Sequence, residues 1–171
     1  ARLFIFKKMK KLYVVGNKAS KSLSPTIFNY WFRKYNIKAS YGYLELTEKN
    51  FHNKIKDVLK KKDTLGLNVT IPFKTKIIKH LGKIDAHAKK IGAVNCVINK
   101  KTIKGTNTDW TGYYKTLPNI KQTKNRKVII LGYGGASHAI HYVLKKRGFK
   151  DIYIFNRSKK KIKYSKNTEY T

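Results

Sequence analysis

Acidic residues are scarce in this sequence of 171 residues: Asp and Glu together number 8, against 40 Lys and Arg, and the net charge is +32. There is one cysteine, Cys96, so no internal disulfide can form, which fits a reducing compartment. No apolar run approaches the roughly 20 residues of a membrane span. We therefore expect a cytoplasmic protein with no membrane partner. We interpret residues 1–8 as a leader, a cloning remnant or upstream translation, and Met9 as the natural start.

The large positive charge by itself favours a nucleic-acid or anionic-membrane partner. The composition of the basic residues argues against that interpretation. Of these residues 35 are Lys and only five are Arg, and the lysines are spread along the whole chain. Recognition of phosphates and base edges favours Arg. Abundant Ile, Asn and Tyr also indicate the codon bias of an AT-rich genome. We attribute the charge to composition, expect no nucleic-acid partner, and keep a polyanion partner as the alternative.

The residues before 118 alternate strand-like and helix-like patterns. Predicted strands cover 12–16, 39–46, 65–69, 93–99 and 102–106, and short helices cover 73–80 and 84–91. Ser24 is the predicted N-cap of a helix that continues with Pro25. Thr47 is the predicted cap of the next helix along the chain, and a further helix is predicted to begin at Asp109. The core-facing stripe of the first helix is predicted to consist of Ile27, Tyr30, Trp31 and Tyr35.

A polar segment without periodicity, 118–126, separates these elements from a second pattern. That pattern is an apolar strand (127–131), a glycine-rich turn, a helix ending before Gly148, and another strand (151–155). It predicts one β-α-β unit of a parallel doubly wound sheet. The turn, Gly132-Tyr-Gly-Gly135, would place backbone N–H groups and a helix N-terminus against a pyrophosphate. Ser137 replaces the last glycine of the usual fingerprint.

The end of the second strand of such a unit indicates which dinucleotide is bound. NAD-binding units usually carry an acidic residue there for the ribose 2′-hydroxyl. Here the strand is followed by Asn156-Arg157-Ser158. Arginine can bind a 2′-phosphate through charge-assisted hydrogen bonds. The sequence therefore favours NADP.

Three polar segments of the first part follow predicted strands or begin predicted helices: Ser22-Leu-Ser24-Pro25, Asn68-Val-Thr70-Ile-Pro-Phe-Lys74 and Gly105-Thr-Asn-Thr-Asp109. Each alone is also typical of a cap or a turn. All three fall where α/β domains form ligand crevices. We therefore predict that they meet in one site.

Together with Gly92-Ala-Val-Asn95, Gly112, Gly132-Tyr-Gly-Gly-Ala-Ser137 and Asn156-Arg157-Ser158, these segments resemble the ordered motif set of the shikimate dehydrogenase family, from about residue 12 to 160. The resemblance implies an α/β fold with a three-layer substrate-binding domain (9–117) followed by an incomplete NADP-binding Rossmann domain (126–171). It implies NADPH-dependent reduction of 3-dehydroshikimate to shikimate, a step towards aromatic amino acids.

The resemblance also implies roles for individual residues. Lys74 and Asp109 would be the catalytic pair, with Lys74 either donating the proton or only stabilising charge. The substrate ligands would be Ser22 and Ser24 at the carboxylate, with Asn68, Thr70 and Asn95 at the ring. The cofactor ligands would be Gly132, Gly134, Gly135, Ala136, Ser137, Asn156, Arg157 and Ser158. No metal is implied.

Some features depart from the family pattern. Tyr133 stands where a small residue is usual, so its side chain must point away from the pyrophosphate, and His138 stands where a basic residue is common. A doubly wound domain needs two β-α-β-α-β halves, and only one β-α-β unit is present. We therefore expect a fragment that is inactive alone. The alternatives are a quinate/shikimate dehydrogenase that uses NAD and a basic polyanion-binding protein that has kept the fold.

Overall fold

The computed structural model describes residues 9–118 and 123–157, without the side chain of Lys124. The strands are β1 Lys10–Gly16, β2 Ala39–Glu45, β3 Thr64–Val69, β4 Lys83–Ile84, β5 Cys96–Asn99, β6 Ile103–Thr106, β7 Lys127–Leu131 and β8 Asp151–Phe155. The helices are α1 Ser24–Lys34, α2 Phe51–Lys60, α3 Ala86–Ile91, α4 Asp109–Thr116 and α5 Gly135–Lys146. None of the helices in the described ranges is long and apolar enough to span a membrane.

The first sheet has six strands in the order β2-β1-β3-β5-β6-β4. β1 runs parallel to β2 and β3, whereas β5 is antiparallel to both β3 and β6. Two successive antiparallel pairings make β6 parallel to β3. The carboxyl ends of β1, β3 and β6 therefore meet at one edge of the sheet, together with the start of β5.

Helices cover both faces of this sheet. Successive residues of a strand point to opposite faces, and in β1 both Val14 and Val15 are buried. Val15 belongs to the main core with Phe51 of α2 and Phe73, whose rings stack at 4.2 Å. Val14 packs on the other face with residues of α1. The predicted three-layer α/β fold is confirmed.

The second sheet consists of β7 and β8, paired in parallel from Lys127 with Asp151 to Leu131 with Phe155. One face is buried against α5 through Ile130, Ile152 and Ile154. The predicted β-α-β unit is confirmed. Gly148 follows α5 with φ of +87°, as expected for a residue just after a helix end.

The prediction for the core-facing side of α1 was wrong. Its four predicted stripe residues are exposed, from Ile27 at 43% to Tyr35 at 64%. Phe28 and Phe32, spaced by four residues, pack instead against the core residues Val14 and Tyr41. Large apolar side chains occur on several sides of α1, so the sequence did not determine which side faces the sheet.

Both predicted helix caps also differ from the structure. Ser24 is the first residue of α1, and its backbone N–H donates to Ser22 Oγ at 3.2 Å. α2 begins at Phe51, after a turn in which Thr47 N–H donates to Asn50 Oδ1 at 2.9 Å. α1 therefore starts one residue earlier than predicted, whereas α2 starts later than predicted, because Thr47 is bonded to Asn50 within the preceding turn.

Three smaller elements differ as well. The predicted helix over 73–80 is a 3₁₀ helix, Lys76–His80. The predicted strand over 93–99 is limited to β5, Cys96–Asn99. β4 was not predicted, because two residues are too few to show a periodicity.

Candidate active site

The edge where β1, β3 and β6 end carries a cleft of about 460 Å³. The chain reaches it from three strand ends and from the start of β5, which is why motifs distant in sequence meet there. The seven predicted substrate and catalytic residues all line it: Ser22, Ser24, Asn68, Thr70, Lys74, Asn95 and Asp109.

Lys74 and Asp109 form an ion pair within the cleft. Lys74 Nζ lies 2.8 Å from Asp109 Oδ2, and the two side chains are 12% and 30% exposed. The ammonium is thus largely shielded from solvent, while the carboxylate remains accessible. Such a pair can present a fixed positive charge, or a proton, to an oxygen atom of a bound ligand.

The carboxylate of Asp109 is held from both sides. Its second oxygen, Oδ1, accepts a hydrogen bond from Asn95 Nδ2 at 2.8 Å. Asn95 is itself oriented, because its Oδ1 accepts the backbone N–H of Thr108 at 2.8 Å. The backbone N–H of Asp109 donates to Asn107 Oδ1 at 3.0 Å. These bonds fix the position of Asp109 and, through it, that of the Lys74 ammonium.

Asn107 was quoted in a motif but given no role from the sequence. It is buried, and its Nδ2 donates to the carbonyl oxygen of Ala93 at 2.9 Å. It therefore joins the segment before β5 to the start of α4, where Asp109 lies. An Asn next to a predicted helix start is typical of a helix cap. The sequence pattern therefore did not indicate that Asn107 links two segments.

A hydrogen-bonded chain runs along the opposite wall of the cleft. Ser22 Oγ donates to Ser24 Oγ at 3.1 Å, and the Tyr41 hydroxyl donates to Asn68 Oδ1 at 2.6 Å. Burial raises the pKa of Tyr41 to about 12, with a contribution from Cys96, while a hydrogen bond from Ser24 opposes the rise. Tyr41 is thus a neutral donor that fixes the amide of Asn68, which leaves Asn68 Nδ2 to donate to a ligand.

Tyr41 was missed by sequence reasoning, since an aromatic residue on an alternating strand is typical of the core. It is indeed buried and stacks on Phe28 at a ring distance of 4.6 Å. Cys96, beside the cleft at the start of β5, is half-buried, and burial raises the pKa of its thiol. A raised pKa makes it a poor nucleophile.

The cleft is electropositive. Lys18 and Lys21, neither predicted from the sequence, line it together with Lys74. Asp109 is the one acidic residue among the described residues that line it. This balance favours an anionic ligand. In the described part of the chain no group of three His, Cys, Asp or Glu side chains could hold a metal ion.

The glycine turn lies next to the cleft. Gly132 has φ of +86°, a conformation that favours glycine, and its N–H donates to Phe155 O at 2.7 Å. Asn156, predicted to bind the cofactor, holds the turn by accepting the Tyr133 N–H on Oδ1 at 3.0 Å. A second cavity of about 350 Å³ is lined by Gly134, Gly135 and Lys74.

Gly135 and Lys74 approach each other closely. A Cβ atom added to Gly135 would lie 2.7 Å from Lys74 Cβ, closer than real Cβ contacts. The second cavity therefore joins the glycine turn directly to the ion pair.

The other predicted cofactor residues lie in two different parts of the chain. Ala136 and Ser137 lie in the first turn of α5, Arg157 is exposed just after β8, and Ser158 lies outside the described residues. Tyr133 is buried, with its hydroxyl 3.1 Å from His141 Nδ1. Its side chain is thus held against α5 and not over the turn.

Comparison with known proteins finds similarity to the shikimate dehydrogenases. Residues 14–97 match the family model of the shikimate dehydrogenase substrate binding domain. A shikimate dehydrogenase of Thermotoga petrophila is 35% identical over 148 residues, which cover 86% of this chain and 55% of the relative. A shikimate dehydrogenase (NADP(+)) of Pelagibacter ubique is 39% identical over 161 residues, covering 90% and 58%.

Solved structures show the same fold. Shikimate dehydrogenase from Thermotoga maritima superposes with a TM-score of 0.82 at 31% identity, covering 94% of this chain and 61% of that one. The Thermus thermophilus enzyme in complex with NADP(H) and shikimate gives 0.73 at 26% identity, covering 88% and 57%. The chain spans about half the length of the curated relatives it matches, 55% to 58%. Over the part that these matches cover, the chain is similar in both sequence and fold to the shikimate dehydrogenases.

Proposed function

We propose that this chain carries the substrate site and the first part of the cofactor site of an NADP-dependent shikimate dehydrogenase. The reaction is the reduction of 3-dehydroshikimate to shikimate in the cytoplasm, on the route to aromatic amino acids. Residues 9–117 form the substrate-binding domain, and residues 126–171 belong to the NADP-binding domain. The observation that carries the proposal is the Lys74–Asp109 pair in a cleft with all five predicted substrate ligands.

In this proposal the substrate carboxylate binds Ser22 and Ser24. Lys18 and Lys21, which line the same cleft, add positive charge. The ring hydroxyls are placed at Asn68, Thr70 and Asn95. Asn68 Nδ2 donates, because Tyr41 occupies its oxygen. This arrangement matches an anionic ligand with several hydroxyl groups.

The reacting carbonyl is placed at Lys74 and Asp109. Its reduction creates an alkoxide, which needs a proton or a positive charge within hydrogen-bond reach. The Lys74 ammonium provides either, and Asp109 holds it in place at 2.8 Å. Bound NADPH supplies the hydride.

The residues of the glycine turn suit a dinucleotide. Gly134 has open space where a side chain would stand, and α5 begins at Gly135, so backbone N–H groups of its first turn are available to phosphate oxygens. The adjoining cavity reaches Lys74, so a cofactor held at the turn would lie beside the substrate carbonyl.

Shikimate binding to the 171-residue chain tests the proposal. Titration should shift the amide signals of residues around the cleft, and Ser22→Ala should weaken binding about 10-fold through loss of a hydrogen bond to a charged group. The matched control is Ser20→Ala, because the Ser20 hydroxyl bonds Glu45. If the two variants lose affinity equally, or a folded chain shows no shifts, the proposed substrate site is wrong.

We predict that Arg157 determines the preference for NADP over NAD. In a chimaera that joins this chain to the remaining half of a relative, Arg157→Ala should remove a charge-assisted contact of about 1.5–3 kcal/mol, or roughly 10- to 150-fold in NADP affinity. NAD affinity should change little. Arg126→Ala, which removes another exposed arginine, is the control. An unchanged ratio of NADP to NAD affinity in the Arg157 variant would refute this assignment and support the use of NAD.

Tyr41 is proposed as a positioning residue for Asn68. Tyr41→Phe keeps the ring stacked on Phe28 but frees Asn68 to rotate, so shikimate affinity should fall about 5-fold, the equivalent of one neutral hydrogen bond. The side-chain amide signals of Asn68 should shift even without ligand. Tyr43→Phe on the same strand, where Tyr43 is exposed, should do neither. Unchanged Asn68 signals in Tyr41→Phe would show that the phenol does not orient the amide.

A further inference from the structure

A third cavity, of about 500 Å³, lies between α3 and α5, on the flank of the glycine turn. We call it the flank cavity. It adjoins the second cavity beside the glycine turn, with which it shares Thr75, Tyr133 and His138. None of the seven predicted substrate and catalytic residues lines it. A volume of this size is typical of pockets for small organic ligands.

The lining of the flank cavity carries positive charge. Lys90 at the end of α3 and Lys145 and Lys146 in the last turn of α5 line it. None of the described residues that line it is acidic. An occupant with a negative charge would be attracted by all three ammonium groups.

The inner wall is aromatic and apolar. Tyr142 lines the cavity, and Tyr133 is held in place with its ring 4.5 Å from that of His138. Tyr133 is the residue that departs from the small side chain usual in the family turn. Its burial against α5 gives this chain an aromatic wall that a small residue at this position would not provide.

His141, also in the lining, carries a buried polar atom without a partner. It is 3% exposed, and its Nε2 has no hydrogen-bond partner among the described residues. Its Nδ1 lies 3.1 Å from the Tyr133 hydroxyl. When the phenol donates to Nδ1, the neutral ring carries its hydrogen on Nε2, which is then a donor that lacks an acceptor.

The imidazole remains neutral at physiological pH. Burial, together with the positive charge of the nearby Lys145 and with His138, lowers the pKa of His141 to about 4. A buried donor of this kind normally has a partner, such as a water molecule or a ligand.

We propose that the flank cavity is a second ligand site, which takes a small aromatic carboxylate. The ring lies against Tyr133 and Tyr142, beside the imidazole of His141, and the carboxylate meets Lys90, Lys145 and Lys146. The site is separate from the proposed substrate cleft, so the two can be tested independently.

The test uses 2-naphthoate with the 171-residue chain. Its binding should be saturable, should shift the amide signals of Lys90, Gly92 and His141, and should not be reversed by shikimate. Lys145→Gln combined with Lys146→Gln should weaken binding about 5-fold or more, through loss of two charges. The neutral 2-naphthylmethanol should bind more weakly than 2-naphthoate, and inorganic phosphate should not compete.

The high net charge makes a matched control necessary. Lys60→Gln combined with Lys61→Gln removes two adjacent exposed lysines at the end of α2, outside the cavity lining. It should change the affinity for 2-naphthoate less than about 2-fold. Equal losses in the two double variants, displacement by shikimate, equal binding of the neutral alcohol, or no saturable binding would each overturn the proposal.

Discussion

Replacing Lys74 with Ala in the chimaera is expected to lower kcat by about 10²–10⁴-fold while KM changes less. In the proposed mechanism the ammonium acts where negative charge develops during the reaction, so its loss should affect the transition state most. In the same proposal the serines and amides of the cleft hold most of the shikimate molecule. Steady-state kinetics of shikimate oxidation with NADP measure the two constants.

The control for this variant is Lys76→Ala. Lys76 is two residues further along the chain, and its ammonium pairs with Glu48 at 2.8 Å, outside the cleft. Its removal should leave kcat within about 2-fold, as expected for an exposed ion pair. A Lys74 variant that loses only affinity, with kcat unchanged, would make Lys74 a binding residue and not a catalytic one.

A polypeptide of these 171 residues alone is expected to show no enzymatic turnover. Among the described residues the second sheet has only β7 and β8, and one of its faces carries exposed apolar side chains, with Ile129 61% and Leu131 82% exposed. Parallel sheets are normally covered on both faces. Two strands and one helix bury too little surface to hold a cofactor within the 3–3.5 Å or so that hydride transfer needs.

Two measurements check this expectation. In hydrogen exchange, the amides of β1 and β3 should be more protected than those of β7 and β8, because the first sheet has six strands and is covered on both faces. In an assay with shikimate and NADP, the rate should stay well below about 1 s⁻¹. A purified chain that reaches such a rate would show that the described part of the cofactor domain is sufficient.

The sequence predicted which residues meet in the cleft better than it predicted the helices. The polar motifs follow strands, and a parallel arrangement of strand ends is enough to bring Lys74 and Asp109 together. The orientation of α1 was not predictable, because apolar side chains occur on several of its sides and only the contact with Val14 and Tyr41 selects Phe28. The hydrophobic periodicity of a helix identifies its core-facing side only where polar residues occupy the opposite side.

The supporting residues of the site were missed for a different reason. Tyr41 and Asn107 act through hydrogen bonds between segments distant in sequence, and Lys18 lines a cleft that forms only in the folded chain. Each is of a residue type common in cores, caps or surfaces. The contact between Gly135 and Lys74 likewise joins two elements that are 61 positions apart, so no local pattern indicates it. Such contacts become visible only in the folded chain.

A crystal structure of the chain with shikimate tests the central claim most directly. We expect the ligand in the cleft at the edge of the six-stranded sheet, with its carboxylate at hydrogen-bond distance, about 2.5–3.2 Å, from the Ser22 and Ser24 hydroxyls. The hydroxyl that is oxidised should lie at a similar distance from Lys74 Nζ. A ligand bound in the reverse orientation, with its carboxylate at Lys74, or one bound outside this cleft, would contradict the account.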